Sequence, residues 1–128
     1  MTQNRQVIST DKAPPAIGPY SQAIVANGMV FCSGQIGMTT DCDLVPGGVE
    51  AETRKSLENL KEVLSAAGTS FASVVQATLF LKNMADFGAV NAIYAEFFPE
   101  NPPARACVAA AELPKGALFE IAVTALVE

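Results

Sequence analysis

Histidine and tryptophan are both missing from this 128-residue chain. Without histidine there is no Ser-His-Asp or Cys-His nucleophile system and no imidazole metal ligand. Nor is there a side chain that titrates near neutrality without help from its surroundings. Charge is scarce as well: 16% of the residues are Asp, Glu, Lys or Arg, against about 25% in an ordinary globular domain. The charge that is present sums to −5. An acidic chain repels a phosphate backbone, and no basic run or basic-aromatic cluster offsets this, so nucleic acid is disfavoured as a partner. The three cysteines, Cys32, Cys42 and Cys107, are odd in number and form no C-x-x-C pair. That is the pattern of free thiols in a reducing compartment. No apolar run approaches the ~20 residues of a membrane span, and residues 1–10 carry neither the apolar segment nor the cleavage pattern of a secretory signal. The expectation is a cytoplasmic protein with no membrane partner, no metal and no cofactor. Its chemistry must run on carboxylates, arginine, hydroxyls and backbone groups.

Half of the residues are apolar. In a chain short enough for one domain, 1–128, that surplus implies a second buried surface, a subunit interface. A first strand is expected around Val7 and Ile8, followed by the proline-rich segment Ala13–Tyr20, which cannot be helical and delivers Tyr20 on a stiff loop. Asn27-Gly28 between two apolar runs signals a hairpin. The second strand ends in Ser33-Gly34-Gln35-Ile36-Gly37, whose glycines mark a bulge or a close backbone approach. Asp41 and Asp43 lie in a surface loop without the further ligands of a calcium site. A helix is expected over residues 50–67, with Leu57, Leu60, Leu64 and Ala67 on its apolar face, Glu50 and Glu52 at its positive end and Gly68 as its stop. A strand over residues 74–82 places Val75, Ala77, Leu79 and Leu81 on one face. Asn83, with Asp86 three residues on, is the expected cap of a second helix that stops before Pro99. Its buried stripe is Phe87, Val90, Tyr94, Phe97 and Phe98.

Three polar residues stand out against apolar surroundings. Asn91 falls inside that stripe, so it needs a partner: a neighbouring loop or a ligand. Arg105 heads the apolar run Ala106-Cys107-Val108 behind Pro102-Pro103, and alternation puts Arg105 and Cys107 on one strand face. Either it is an edge-strand arginine paired to a carboxylate, or it is a binding group. After the turn Leu113–Gly116, the last strand places Phe119, Ile121, Val123, Ala125 and Val127 on one face. Glu120 sits on the other, beside Ala122, Thr124 and Leu126. The order of elements implies an α+β sandwich: a mixed sheet with two helices on one face, whose other face needs a partner.

Taken together, Gly18-Pro19-Tyr20-Ser21-Gln22, Ser33-Gly34-Gln35-Ile36, Pro103-Ala104-Arg105, Leu113-Pro114 and Phe119-Glu120-Ile121 resemble the reactive intermediate deaminase family, also called the endoribonuclease L-PSP family. The match runs from Val7 to Ala125. It implies a chorismate-mutase-like fold and a homotrimer with ligand sites in clefts between subunits. The reaction it implies is hydrolysis of 2-aminoacrylate and 2-aminocrotonate, or their imine tautomers, to a 2-keto acid and ammonia. In this resemblance Arg105 clamps the substrate carboxylate and Glu120 stands by the attacking water, the two catalytic positions. Tyr20, Ser33, Gly34, Asn91 and Cys107 line the substrate pocket. Ala122 stands where many members carry a second acid.

The chemistry suits these residue types. A guanidinium holds a planar carboxylate through two parallel hydrogen bonds, and a carboxylate can orient water and relay its proton. Cys107 has no His or adjacent Lys to activate it, so a covalent route is disfavoured. Two other functions fit the family: a non-catalytic 2-keto-acid-binding or chaperone-like trimer, and a translation-inhibiting endoribonuclease. The acidic charge and the missing histidine argue against the latter.

Overall fold

Period-two alternation and turn chemistry build the sheet. The computed structural model describes residues 4–128. Its strands are β1 (Arg5–Ile8), β2 (Ala23–Ala26), β3 (Met29–Ile36), β4 (Val74–Leu81), β5 (Ala104–Ala109) and β6 (Phe119–Leu126), and its helices are α1 (Gly48–Ala66) and α2 (Phe87–Phe97). They form a six-stranded sheet in the order β1-β2-β3-β6-β4-β5. Only β4 and β5 pair in parallel; the other neighbours are antiparallel. The expected mixed α+β sheet is what the chain forms. Asn27 and Gly28 both take positive φ, 53° and 75°, as the two-residue hairpin turn between β2 and β3 requires. Among the described residues no helix is long and apolar enough to cross a membrane.

One sheet face carries the core. Leu79, Ile121 and Val123 pack there against Leu57, Leu60 and Leu64 of α1 and Val90, Ile93 and Tyr94 of α2. Both helices cover this face. α1 ends as expected: Gly68 turns left-handed at φ 82° and its N–H donates to the Ser65 carbonyl at 3.0 Å, a standard helix stop. The opposite face is left open in the single chain. Phe31 is 46% exposed and Leu126 47%, with Val108 also exposed. A second small cluster, Ile36, Met38, Leu113 and Ala117, sits under the Pro114–Gly116 turn.

Several local expectations are corrected. Val75 is not on the core face but 39% exposed. The ladder with β6 slips between Val74 and Gln76, so Val75 is the bulged residue and Val74 takes the core position. Val127 lies beyond the end of β6 and is exposed. Asn83 makes no side-chain cap; it precedes a single 3-10 turn, Met84–Asp86, that leads into α2. Phe87 and Phe97 are only half-buried, and Ile93 joins the buried stripe instead. Glu52 does not simply complement a helix end. It is buried, and its Oε1 accepts the Leu118 N–H at 2.8 Å, which ties α1 to the start of β6.

The chain just past β3 packs tightly on α1. A Cβ on Gly37 would lie 2.6 Å from the Glu52 Cα, so only glycine admits this approach. Asn59, fully buried on α1, donates from Nδ2 to the Ile36 carbonyl at 3.3 Å and the Met38 carbonyl at 2.8 Å. The Ile36 carbonyl also accepts the Met38 N–H, so truncating Asn59 strands chiefly the Met38 carbonyl. Asn59→Ala is expected to lower unfolding free energy by about 1–3 kcal/mol, the cost of one buried unpaired acceptor. Denaturant titration checks this, and a change under about 0.5 kcal/mol would mean that water replaces the amide.

Candidate functional site

The sequence-predicted site residues fall into two groups on opposite faces of the sheet. Arg105 lies on β5, the edge strand. It is opposite Ala77, which in turn faces Val123. Both are buried in the core, so Arg105 projects on the helix-bearing face. There α2 receives it. Phe87, Asn91 and Tyr94 recur at helical spacing and present one face to the guanidinium. Arg105 Nη1 donates to Asn91 Oδ1 at 2.7 Å, and its Cζ stands 4.8 Å from the Tyr94 ring centroid and 5.5 Å from that of Phe87. Asn91 therefore partners the arginine rather than a loop. No carboxylate pairs with Arg105 among the described residues; the ion pair there is Arg54–Glu96, exposed at 3.0 Å. The edge-strand reading holds for position, but the carboxylate partner it called for is replaced by an amide.

Cys107 follows on the same face, half-buried against the core. Burial pushes its thiol up, with Arg105 opposing. It is therefore less of a thiolate than a free cysteine. Cys32 is deeper and is pushed up to about 12 by burial.

The second group lines a cleft of about 390 Å³ on the open side. Tyr20, Ser33, Gly34 and Glu120 all contribute to its wall, with Gln22 and Lys115. Glu120 is opposite Ile36 and Phe80, on the reverse of the face that buries Phe119 and Ile121. It is half-buried, and desolvation raises its carboxyl above the ordinary range. The Gly34 backbone lies directly beneath it: a Cβ there would overlap the Glu120 carboxylate. The ladder slips between Cys32 and Gln35, so the glycine-bearing segment is a bulge that makes room for the acid. Ser33 is engaged with its own chain. Its Oγ donates to the Ser21 carbonyl at 2.5 Å and its N–H to the Gln22 carbonyl at 3.0 Å.

Three residues of this region escaped sequence reasoning as individuals. Gln22 is buried, and its amide accepts the Thr10 N–H at 2.7 Å and donates to the Pro14 carbonyl at 2.8 Å, pinning the proline-rich loop. A glutamine at the head of an otherwise apolar strand was its signal. Lys115 takes φ 58° at the cleft wall, and the Lys-Gly pair after Pro114 was its signal. Tyr94 was legible as core but not as a ring under a cation.

Comparison with known proteins points one way. The sequence model of the family described as Endoribonuclease L-PSP matches residues 10–127. The 2-iminobutanoate/2-iminopropanoate deaminase of Rattus norvegicus is 52% identical over 118 residues, 91% of this chain and 86% of the rat protein. Yeast Mmf1 superposes with a TM-score of 0.95 at 36% identity, covering 98% of this chain and 100% of that one. Escherichia coli TdcF, solved with bound serine, superposes with a TM-score of 0.90 at 39% identity, covering 96% and 99%.

Burial of Glu120 sets a pH signature. The folded protein holds that proton more tightly than the unfolded chain does. Its contribution to stability is complete below the unfolded-state pKa and is lost as pH rises through the higher folded-state value. Starting from the ordinary value of 4.5 and moving upward, the wild type should lose stability relative to Glu120→Gln. Denaturation midpoints across that window check this; parallel curves would show that the carboxyl is not desolvated.

Proposed function

This chain belongs to the endoribonuclease L-PSP family, the reactive intermediate deaminases. From that premise we propose that it hydrolyses 2-iminobutanoate and 2-iminopropanoate, the imine forms of 2-aminocrotonate and 2-aminoacrylate, to the 2-keto acid and ammonia. The observation that carries the reading is the Arg105 guanidinium, pinned by Asn91 but not neutralised by any carboxylate among the described residues, in a chain half identical to a deaminase of that name. Asn91 takes one of the five guanidinium N–H groups. The remaining edge can grip a planar carboxylate with two parallel bonds.

In this reading the site is completed by a second copy of the chain. Arg105 and Glu120 occupy opposite faces of one sheet, so a single protomer cannot apply both to one small substrate. The open apolar face, with Phe31, Val108 and Leu126, is the surface a homotrimer would cover. Closing it would bring the Arg105 of one protomer to the Tyr20–Glu120 cleft of the next. Clamped there, the imine offers C2 at a fixed place. Water adds to C2 of the protonated imine while Glu120, ionised, takes one of its protons, and the C2=N π pair moves onto nitrogen. The carbinolamine then collapses: Glu120 gives that proton to the amino nitrogen, the C2–N bond breaks as C2=O forms, and the hydroxyl proton passes through Glu120 to the departing ammonia, which leaves as ammonium. Tyr20, Ser33 and Gly34 wall the cleft, and Cys107 packs behind the arginine without a covalent role.

A second reading has one observation in its favour. E. coli TdcF was solved with serine bound, which fits a carboxylate-binding trimer that turns nothing over. The ribonuclease reading has the family's printed name and is opposed by the net charge of −5.

One assay separates these. A pyridoxal-phosphate-dependent dehydratase acting on threonine releases 2-aminocrotonate, and 2-ketobutyrate formation is followed with and without the protein. Acceleration by the wild type is expected, with kcat/KM about 100-fold lower in Arg105→Ala, the usual scale for removing one partner of a desolvated charge pair. Arg105→Lys should recover little of it, because lysine lacks the fork. Equal acceleration by Arg105→Ala overturns the clamp. Binding of 2-ketobutyrate with no acceleration by the wild type overturns the enzyme.

A further inference from the structure

We infer that Tyr94 is a positioning residue of this site: its ring is the floor that holds the Arg105 guanidinium flat and aimed at the substrate carboxylate. The inference deepens the reading above and rests on it. The guanidinium carbon stands 4.8 Å from the Tyr94 ring centroid, inside the ~6 Å reach of a cation–π contact. The ring itself cannot swing. Tyr94 is 5% exposed and stacks on Phe98 at 4.5 Å between centroids, and Phe98 is held edge-on by Phe71 at 5.1 Å.

The need for a floor follows from the strand. β5 is an edge strand and Arg105 is exposed in the single chain, so little else limits its rotamers. Asn91 fixes one nitrogen at 2.7 Å, but a single hydrogen bond leaves the plane free to turn about it. A ring beneath the plane removes that freedom. The division of labour suits a clamp: a guanidinium carbon held over a ring leaves the edge N–H donors free for the carboxylate. Phe87, at 5.5 Å and half-buried, is a weaker second wall.

The phenol oxygen has no part in this. It is buried without a hydrogen-bond partner, so a phenylalanine would serve the same end. This separates a positioning ring from a hydrogen-bonding hydroxyl.

The test follows KM and kcat for 2-aminocrotonate with the dehydratase-coupled assay, alongside thermal melting. Tyr94→Met fills the volume without a ring. Its KM should rise about five-fold while kcat changes less than two-fold, within the span of a partly desolvated cation–π contact. Tyr94→Phe should bring KM back to within two-fold of wild type and melt no lower. An unchanged KM in folded Tyr94→Met overturns the inference, and so does an equal KM rise in Tyr94→Phe, which would put the hydroxyl in charge. If Tyr94→Met does not fold, Tyr94→Leu decides in its place on the same two readouts: a several-fold KM rise with near wild-type kcat supports the ring and wild-type KM overturns it. Arg105→Ala run in parallel keeps the two questions apart. If it retains wild-type KM, the clamp itself fails; if it loses activity while Tyr94→Met does not, only the floor fails.

Discussion

A guanidinium on a protein surface is either neutralised by its own chain or left available, and among the described residues no carboxylate pairs with Arg105. The nearby groups that hold it are an amide and two aromatic rings. None of these removes its charge. They restrict its direction instead, which is what the proposed carboxylate clamp requires. In the proposed reading α2 serves that end, since Phe87, Asn91 and Tyr94 all face the guanidinium. An arginine paired to Glu96, as Arg54 is, would have had no such use.

The pleat of the sheet explains why, in the proposed reading, one protomer holds only half of the site. On β6 and β4 alternate residues go to opposite faces, so the strands that bury Ile121 and Leu79 under the helices must send Glu120 and Phe80 the other way. Arg105 follows the buried set and Glu120 the open set. No rotamer change brings them together through a sheet. The chain has therefore placed a cation on one side and an acid with its cleft on the other, at a β5 edge and an apolar face that both lack neighbours. In the proposed assembly a single rotation operation supplies each half with the other, and the surplus of apolar residues is explained by the same operation.

What could be read from the sequence divides along physical lines. Short-range rules worked where one interaction dominates. Asn27-Gly28 made its hairpin, Gly68 stopped α1, and the apolar-polar alternation of β6 put Glu120 on its true face. The rules failed where tertiary contacts override a local preference. Asn83 looks like a cap, yet a 3-10 turn intervenes. Val75 fits the alternation of β4, yet a bulge shifts it outward. Glu52 and Asn59 look like ordinary polar helix residues, and only the docking of α1 on β3 and β6 shows them to be buried ties. Arg105, Asn91 and Glu120 were visible as anomalies: an Arg before an apolar run, an Asn in an apolar stripe, a Glu on a nearly apolar face. Their partition between two faces was implicit in strand parity, but it could not be read without the register that places Arg105 opposite Ala77 and Glu120 opposite Phe80.

Glu120 illustrates how the two halves depend on each other. A carboxyl over the Gly34 backbone in a part-closed cleft favours its neutral form. Yet the proposed hydrolysis needs it ionised to accept a proton from water. The missing counter-charge is one the reaction itself provides. A protonated imine carries its positive nitrogen on C2, the atom that water attacks, and so next to the acid. An opposite charge at that range draws a carboxyl proton off. The guanidinium, meanwhile, spends its own charge on the substrate carboxylate. Desolvation in the empty cleft raises the Glu120 pKa, and in the proposed reading an imine cation bound there lowers it again. The carboxylate form, the one able to take a proton from water, is then favoured when the electrophile is in place, which is the order of events that the proposed hydrolysis requires.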